Sequence, residues 1–507
     1  MKFQIANILE YRKRLSRNHI NASFSTAEYV LRALVLLVST PIFFRVLGAE
    51  LFGIWILVNT IMGFSGLFKF GMGQATVKYV SQYRTTGDIP ALVRVIRTTL
   101  TLYLGLGVVG GLLIYLLAPW FVSSAFKIGE EQREIAKLCL MAAGLGYPVV
   151  LLQDALEAVY RGYERFDLLS VVNFSFVLVS NGVRIAMVLL GVALPWIVLA
   201  TVAIMLAFCL IRMLHLRHKF GPHLNFLLAK DLSDQKEVFS YGLFAWLTSV
   251  LGIIRQRGDI LIISALLGPA ALPPYTIGLR LLEQTHALLA KASQFLFPAF
   301  SRLHSQGDVE GLRRQYDKAT SIITVLASAM IVPIFMFSGP ILTFWISEEF
   351  SATATPILQV MALRFAVYPL SIVNAYIMQG VGEVKVMAAV LSVSTVLVFG
   401  AMLLFIPVYG LMGAALAQCI IFFFLLFNRA YVAKTIFGSV SLLHEFMNFL
   451  PVIILLILTT YVSLPEIRYL PELGLGVILT SIVSASLTWL FFKCNLFVPN
   501  DSSQLEE

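Results

Sequence analysis

Residues 71–94 read GMGQATVKYVSQYRTTGDIPALVR, and residues 291–314 read KASQFLFPAFSRLHSQGDVEGLRR. The two stretches match without a gap at an offset of 220 residues, most clearly where Gly87-Asp88 corresponds to Gly307-Asp308. The same offset relates Leu47-Gly48 to Leu267-Gly268. This constant offset indicates that one ancestral unit has been duplicated within the chain.

Composition places the duplicated units in a membrane. Hydrophobic residues make up 59% of the 507 residues, charged residues only 13%, and the mean hydropathy is +0.85. A soluble protein of this length carries far more charge. Because apolar segments of about 20 residues recur along the whole chain, we predict fourteen transmembrane helices. The second span of each copy is predicted at 51–80 and 271–300, with the Gly71/Gly73 pair expected to supply close approach or bending.

The predicted fold is therefore an all-α polytopic membrane protein with two pseudo-symmetric six-helix lobes. The N-terminal lobe is predicted at 1–222 and the C-terminal lobe at 223–440. A helical hairpin and a cytoplasmic tail follow at 441–507. Six spans separate the copies, so we expect the lobes to point the same way across the bilayer and to enclose a substrate cleft.

Lysine and arginine placement predicts the orientation, since positive loops remain on the cytoplasmic side. With the N-terminus inside, the basic residues left outside are few: Lys127, Arg133, Lys137 and Arg468. Both termini are predicted to be cytoplasmic. The net charge of +9 follows this rule, so it does not indicate a nucleic-acid partner.

Cofactor chemistry is not indicated by the sequence. The cysteines, which have no CxxC or Cys/His spacing, predict neither a disulfide framework nor a zinc site; they are Cys139, Cys209, Cys419 and Cys494. A phosphate-binding GxxxxGK[ST] motif is absent from the sequence, so ATP hydrolysis is not expected. We predict no cofactor beyond a coupling H⁺ or Na⁺.

Charges inside the predicted spans carry the functional signal. Each costs about 2.5 to 3.5 kcal/mol at the bilayer centre, so most are expected to face the cleft or one another. The set has nine basic and five acidic members, an excess that favours an anionic substrate. Its members are Glu28, Arg32, Arg45, Lys69, Asp154, Glu157, Arg184, Arg255, Arg257, Asp259, Arg280, Glu283, Lys291 and Arg364.

Helical spacing divides this set into local ion pairs and candidate ligands. Glu28 with Arg32, and Glu157 with Arg161, are spaced i,i+4 and can neutralise each other. The predicted substrate-binding cations are Arg32, Lys69, Arg257 and Lys291, extended by Arg255, Arg184 and Arg364. The predicted coupling-ion residues are Asp154 and Asp259, for which a structural salt bridge is the alternative.

Several motifs resemble the polysaccharide-transporter or O-antigen flippase family of the multidrug/oligosaccharidyl-lipid/polysaccharide exporter superfamily. They include Gly53-Ile54-Trp55, the Arg161 to Phe166 loop, Phe297-Pro298-Ala299-Phe300-Ser301-Arg302, and Ile406 to Ala415. The resemblance implies flipping of an undecaprenyl-pyrophosphate-linked oligosaccharide between leaflets of the bacterial inner membrane by alternating access. Its implied partners are this lipid-linked oligosaccharide, the lipid bilayer and the glycan-assembly enzymes.

Two departures from the family pattern bear on the interpretation. Lys69 stands where the family often has an acidic residue before the glycine. A coupling role for that acidic residue therefore has no support in this sequence. The first span, with Arg32 and Arg45, does not reproduce the basic signature of lipid II flippases. A lipid II flippase and a cation-coupled drug or metabolite antiporter remain alternatives. An enzyme is not predicted, because the longest outer loop is short and rich in glutamate.

Overall fold

The computed structural model describes residues 2–224, 226, 235–438, 450–460, 467 and 469–496. Every regular element within these ranges is helical. Ten of the described helical segments are long and apolar enough to cross a membrane. The predicted all-α polytopic fold is confirmed, while the count of fourteen spans stays a prediction. Arg468, the Cys494 side chain and the tail after Leu496 lie outside the part of the chain that the structure describes.

The chain folds into two compact units, of which the first is Met1–Leu272. Its helices are α1 (Lys2–Gly63), α2 (Met72–Thr86), α3 (Ile89–Trp120), α4 (Glu130–Gly162), α5 (Phe166–Leu189), α6 (Leu194–Phe220) and α7 (Gln235–Leu267). Helix α1 leaves helical geometry at Gly48, where φ is 72° and ψ is 176°, so it contains two successive segments. Helix α7, which opens the second sequence copy, packs within this first unit.

The second unit is Pro273–Glu507. Its helices are α8 (Leu272–Ala292), α9 (Leu296–Ser305), α10 (Val309–Met336), α11 (Ser338–Trp345), α12 (Glu348–Val367), α13 (Leu370–Val381), α14 (Val384–Tyr409), α15 (Leu411–Gln418), α16 (Ile421–Phe437), α17 (Leu450–Thr460) and α18 (Leu470–Leu496). Helix α18 packs along α10. The lobe boundaries predicted from the duplication, 1–222 and 223–440, stay predictions.

Backbone geometry repeats at the duplicated positions. Gly87 has φ of 75° and Gly307 has φ of 69°, both in the left-handed region that favours glycine. The following aspartates each cap a helix: Asp88 Oδ1 accepts from the Ala91 amide at 3.0 Å, and Asp308 Oδ1 accepts from the Gly311 amide at 2.7 Å. The Gly-Asp pair therefore ends one helix and starts the next in both copies, in agreement with the duplication.

Close approach of two helices organises the first unit. Helices α3 and α4 cross where Gly111 meets Gly144, and a Cβ built on Gly111 would lie 2.4 Å from the Gly144 carbonyl oxygen. Nearby, a Cβ on Gly107 would lie 2.6 Å from Cα of Pro148. Small residues at a helix crossing allow backbone contact, which drives helix association where lipid removes the hydrophobic effect.

The loop after α4 is fixed by polar contacts. Arg84 Nη1 donates to the Tyr163 carbonyl at 2.7 Å, which ties the end of α2 to this loop. Arg165 donates twice to Asp167, at 2.8 Å from Nε and from Nη2. These charge-assisted bonds raise the pKa of the Arg165 guanidinium, which therefore stays charged at every physiological pH.

The second span of each copy, predicted at 51–80 and 271–300, is interrupted in the structure. In the first copy a 3₁₀ turn, Phe64–Phe68, follows α1. Phe70 and Gly71 then adopt positive φ values of 44° and 71°. Two successive residues with positive φ cannot continue a right-handed helix, so α2 restarts at Met72. In the second copy α8 ends at Ala292 and α9 starts at Leu296.

Candidate functional site

The candidate site is built around the break at residues 64–71, where helix α7 packs. Trp246 Nε1 donates to the Leu67 carbonyl at 2.8 Å, and its ring stacks on Phe70 with centroids 4.8 Å apart. A Cβ on Gly66 would lie 2.2 Å from Cδ1 of Ile253. These contacts accommodate the strained Phe70 backbone and fix the position of its neighbour, Lys69.

Lys69 and Asp154 form an ion pair across the break. Lys69 Nζ lies 2.5 Å from Asp154 Oδ2, and each side chain is 32% exposed. The structure thus joins a predicted substrate-binding cation to a predicted coupling residue.

Glu157 extends this pair into a network. It lies one turn after Asp154 on α4, with Oε2 accepting from Arg161 at 3.0 Å. Its Oε1 lies 3.5 Å from Arg212 Nη2 on α6. Arg212 is only 1% exposed and donates from Nη2 to Asn173 Oδ1 at 2.7 Å. The buried guanidinium of Arg212 on α6 therefore contacts side chains of both α4 and α5, and these contacts join the three helices.

Arg257 occupies a second position beside the break. Its guanidinium lies against Gly63, the last residue of α1, so that a Cβ there would be 2.1 Å from Cζ. The 3₁₀ turn Phe64–Phe68 separates Gly63 from Lys69, and the six residue steps between them correspond to roughly 9 to 12 Å along the axis. On the same helix Arg255 is partly buried, while Asp259 is 3% exposed and accepts from the Ile260 amide at 2.9 Å.

Two further predicted cations of the first unit have local partners. Arg32 is 50% exposed and its Nη2 lies 2.7 Å from Glu28 Oε1, which confirms the predicted i,i+4 pair. The Glu157–Arg161 pair is confirmed as well. Arg184 donates from Nε to the Ser180 carbonyl at 2.9 Å, and its Cζ lies 5.7 Å from the Trp55 ring centroid.

The remaining predicted cations belong to the second unit. Lys291 is exposed at the end of α8. Arg364 on α12 lies 5.0 Å from the Tyr368 ring centroid, and its buried Nε has no hydrogen-bond partner. The His286 ring stacks on the ring of Tyr368, with the two centroids 4.4 Å apart. This cluster belongs to the second unit.

Two buried arginines escaped the sequence prediction, namely Arg212 and Arg429, each only 1% exposed. Both lie inside predicted spans, at 195–216 and 411–432. An arginine within an otherwise apolar span was the available signal in each case. Including them makes the basic excess inside the spans larger.

The charged residues around Lys69 can bind an anion and can change their ionic partners. A lysine at a break in a helix, in a low-dielectric region, attracts an anion more strongly than it would in water. The adjacent carboxylates could also take up a proton or a cation. Among the described residues, no group of three or more His, Cys, Asp or Glu is placed to hold a metal ion.

Residues 42–355 match the polysaccharide biosynthesis protein family, and this match covers more than half of the chain. The chain belongs to this family. Its relatives include a Shigella flexneri protein named as a candidate O-antigen transporter, 19% identical over 79% of this chain and 94% of its own length. The uncharacterized membrane protein EpsK of Bacillus subtilis is 23% identical over 68% of each chain.

Solved structures of similar fold are also transporters. The lipid II flippase MurJ in an inward closed conformation has a TM-score of 0.68 at 13% identity, covering 93% of this chain and 99% of its own. An inward-facing multidrug resistance transporter of the MATE family has a TM-score of 0.67 at 15% identity, covering 82% and 100%. At such low identity these structures establish the fold alone. They agree with a multi-pass membrane protein, and the named relative with a stated role is a transporter rather than an enzyme, as expected from the sequence.

Proposed function

We propose that the protein flips an undecaprenyl-pyrophosphate-linked oligosaccharide, the repeat unit of an O-antigen or exopolysaccharide, from the inner to the outer leaflet. The single observation that carries this proposal is the placement of Lys69 at the break of the second span, in a chain of the polysaccharide biosynthesis family. A pyrophosphate needs a cation inside the membrane, and helix breaks are where transporters bind substrates.

The relatives support this substrate class. A protein named as a candidate O-antigen transporter matches nearly its full length to this chain. The family itself takes its description from polysaccharide biosynthesis. The basic excess inside the spans suits an anionic lipid head, whereas an organic-cation antiporter would need an acidic cleft. We place the protein in the bacterial inner membrane, with cytoplasmic termini and with glycan-assembly enzymes as functional partners.

The proposed cycle is alternating access, with the pyrophosphate held by cations in both sequence copies. Lys69 and Arg257 are the first candidates, because they lie beside the break in the first unit. Arg32 and Lys291 complete the predicted set, and Arg184, Arg255 and Arg364 are its extension. Asp154 and Asp259 are the candidates for coupling to H⁺ or Na⁺.

The test is flipping by purified protein in proteoliposomes. Dithionite bleaches only outer-leaflet fluorophores, so flipping of a fluorescent undecaprenyl-pyrophosphate oligosaccharide increases the bleached fraction. Fluorescent lipid II and ethidium uptake are measured in parallel. We expect the oligosaccharide to be flipped and ethidium to be excluded. Flipping of lipid II alone, or ethidium uptake alone, would replace this function with the corresponding alternative.

A further inference from the structure

A transporter that binds its substrate tightly must also release it. The Lys69–Asp154 pair offers a means of release, since it places a negative group of the protein on the cation proposed to hold the pyrophosphate. The carboxylate and a phosphate oxygen have the same chemistry towards an ammonium group. Although the ammonium group has three N–H donors, a carboxylate lying against Nζ offsets its positive charge and so weakens its attraction for a second anion.

The geometry of the pair suits exchange. Both side chains are 32% exposed, so an entering anion can reach Lys69. The cation is the compact ammonium of a lysine, which has no fixed fork geometry and can change partners by rotating its flexible stem.

The surroundings keep Asp154 in place when Lys69 leaves. Asp154 lies in the middle of α4, which is anchored to α6 by Gln153, whose Nε2 donates to the Met205 carbonyl at 2.8 Å. The neighbouring Glu157 already has Arg161 and Arg212 as partners. A displaced Asp154 carboxylate therefore remains beside Lys69 and competes for it again.

We propose that Asp154 is an internal competitor of the substrate: its carboxylate holds Lys69 in the empty transporter, yields it to the pyrophosphate, and reclaims it to promote release. The proposal deepens the proposed function and rests on it. Asp154 is thereby assigned a role in release, which differs from that of a coupling-ion site. A coupling site would lose transport on neutralisation without any gain in substrate affinity.

Binding is measured by fluorescence anisotropy of labelled undecaprenyl pyrophosphate added to protein in phosphatidylcholine nanodiscs. For Asp154→Asn we expect affinity to rise roughly 5- to 10-fold, with slower flipping of the oligosaccharide in proteoliposomes. Lys69→Gln should weaken binding. In the double variant the gain from Asp154→Asn should vanish, because the lysine for which the two anions compete is gone.

The matched control is Glu134→Gln. It also removes a carboxylate of α4 that lies 3.2 Å from a lysine, Lys137, but at the exposed start of the helix. We expect unchanged affinity and flipping. An unchanged or weakened affinity in Asp154→Asn, or a gain that persists with Lys69→Gln, overturns the proposal. Failure of the wild-type protein to flip the oligosaccharide, with the affinity pattern intact, overturns the proposed function instead.

Discussion

Gly63 lies directly beneath the guanidinium of Arg257, so closely that a Cβ at this position would be 2.1 Å from both Cζ and Nη1. The atoms in conflict are the far end of a flexible side chain. Gly63→Ala should therefore displace the Arg257 guanidinium while changing stability little. If Arg257 holds the pyrophosphate, affinity for undecaprenyl pyrophosphate should fall by about tenfold, the value of one charge-assisted hydrogen bond.

The control for this prediction is Gly105→Ala on α3, where an added Cβ meets nothing within 4 Å. It should leave affinity and melting temperature unchanged. Gly63→Ala combined with Arg257→Ala should bind no more weakly than Arg257→Ala alone. An affinity loss that adds to that of Arg257→Ala would mean that Gly63 acts through another group.

Gly111→Ala should destabilise the first unit. The added Cβ would lie 2.4 Å from the Gly144 carbonyl oxygen, and backbone of a neighbouring helix cannot move away as a side chain can. Overpacking of this kind costs about 1 to 3 kcal/mol. Unfolding of the purified protein by SDS in mixed micelles measures the difference, with Gly105→Ala on the same helix as reference. Equal stability of the two variants would show that α3 and α4 can separate without cost.

Much of the fold is readable from the sequence because duplication and hydropathy are one-dimensional patterns. The Gly-Asp signals at Gly87-Asp88 and Gly307-Asp308 correspond to the same turn and cap in both copies. The i,i+4 pairs on α1 and α4 also follow from helical spacing. Features set by one helix are predictable in this way, because 3.6 residues per turn determine which side chains are neighbours.

The candidate site was only partly predictable because it depends on contacts between helices. Lys69 and Asp154 are each conspicuous as intramembrane charges, but their pairing follows from the break at Phe70 and from the packing of α4. Phe70 gives no sequence signal for positive φ, which glycine usually supplies. Arg212 was missed because it lies in one of the most apolar helices that the structure describes, Leu194–Phe220.

Arg212→Ala should be strongly destabilising. Arg212 is 1% exposed, and its removal leaves Glu157 and the Asn173 amide oxygen inside the first unit without this partner. Breaking a buried pair typically costs about 3 to 5 kcal/mol. Arg161→Ala provides the matched comparison, since Arg161 contacts the same glutamate but is 50% exposed. It should cost no more than about 1 kcal/mol.

Both values come from SDS unfolding of the purified variants. Glu157→Gln with Arg212→Ala should recover part of the stability lost in Arg212→Ala alone, because it removes a carboxylate left with only the half-exposed Arg161 as its partner. Similar costs for Arg212→Ala and Arg161→Ala would contradict the assignment of Arg212 as the buried partner that joins α4, α5 and α6.

Hydroxyl groups attach α18 to the second unit. Thr488 Oγ1 donates to Ser328 Oγ at 3.0 Å, and Ser484 Oγ lies 3.3 Å from the Ser328 carbonyl. The single proton of Ser328 Oγ has two alternative acceptors, the Val325 carbonyl at 2.8 Å and the Ser484 carbonyl at 3.4 Å. Ser328→Ala removes the bond from Thr488 and the longer contact with the Ser484 carbonyl, both between α10 and α18. At about 0.6 kcal/mol for an interhelical bond in a membrane, the expected loss is roughly 1 kcal/mol.

The control is Ser392→Ala on α14, whose hydroxyl donates within its own helix to the Ala388 carbonyl at 2.8 Å. Both variants lose a hydroxyl, but only Ser328→Ala loses contacts between helices. Protease sensitivity of the segment before α18, measured alongside SDS unfolding, should increase for Ser328→Ala and not for Ser392→Ala. Equal sensitivity would indicate that apolar packing, rather than these hydroxyls, attaches α18 to α10.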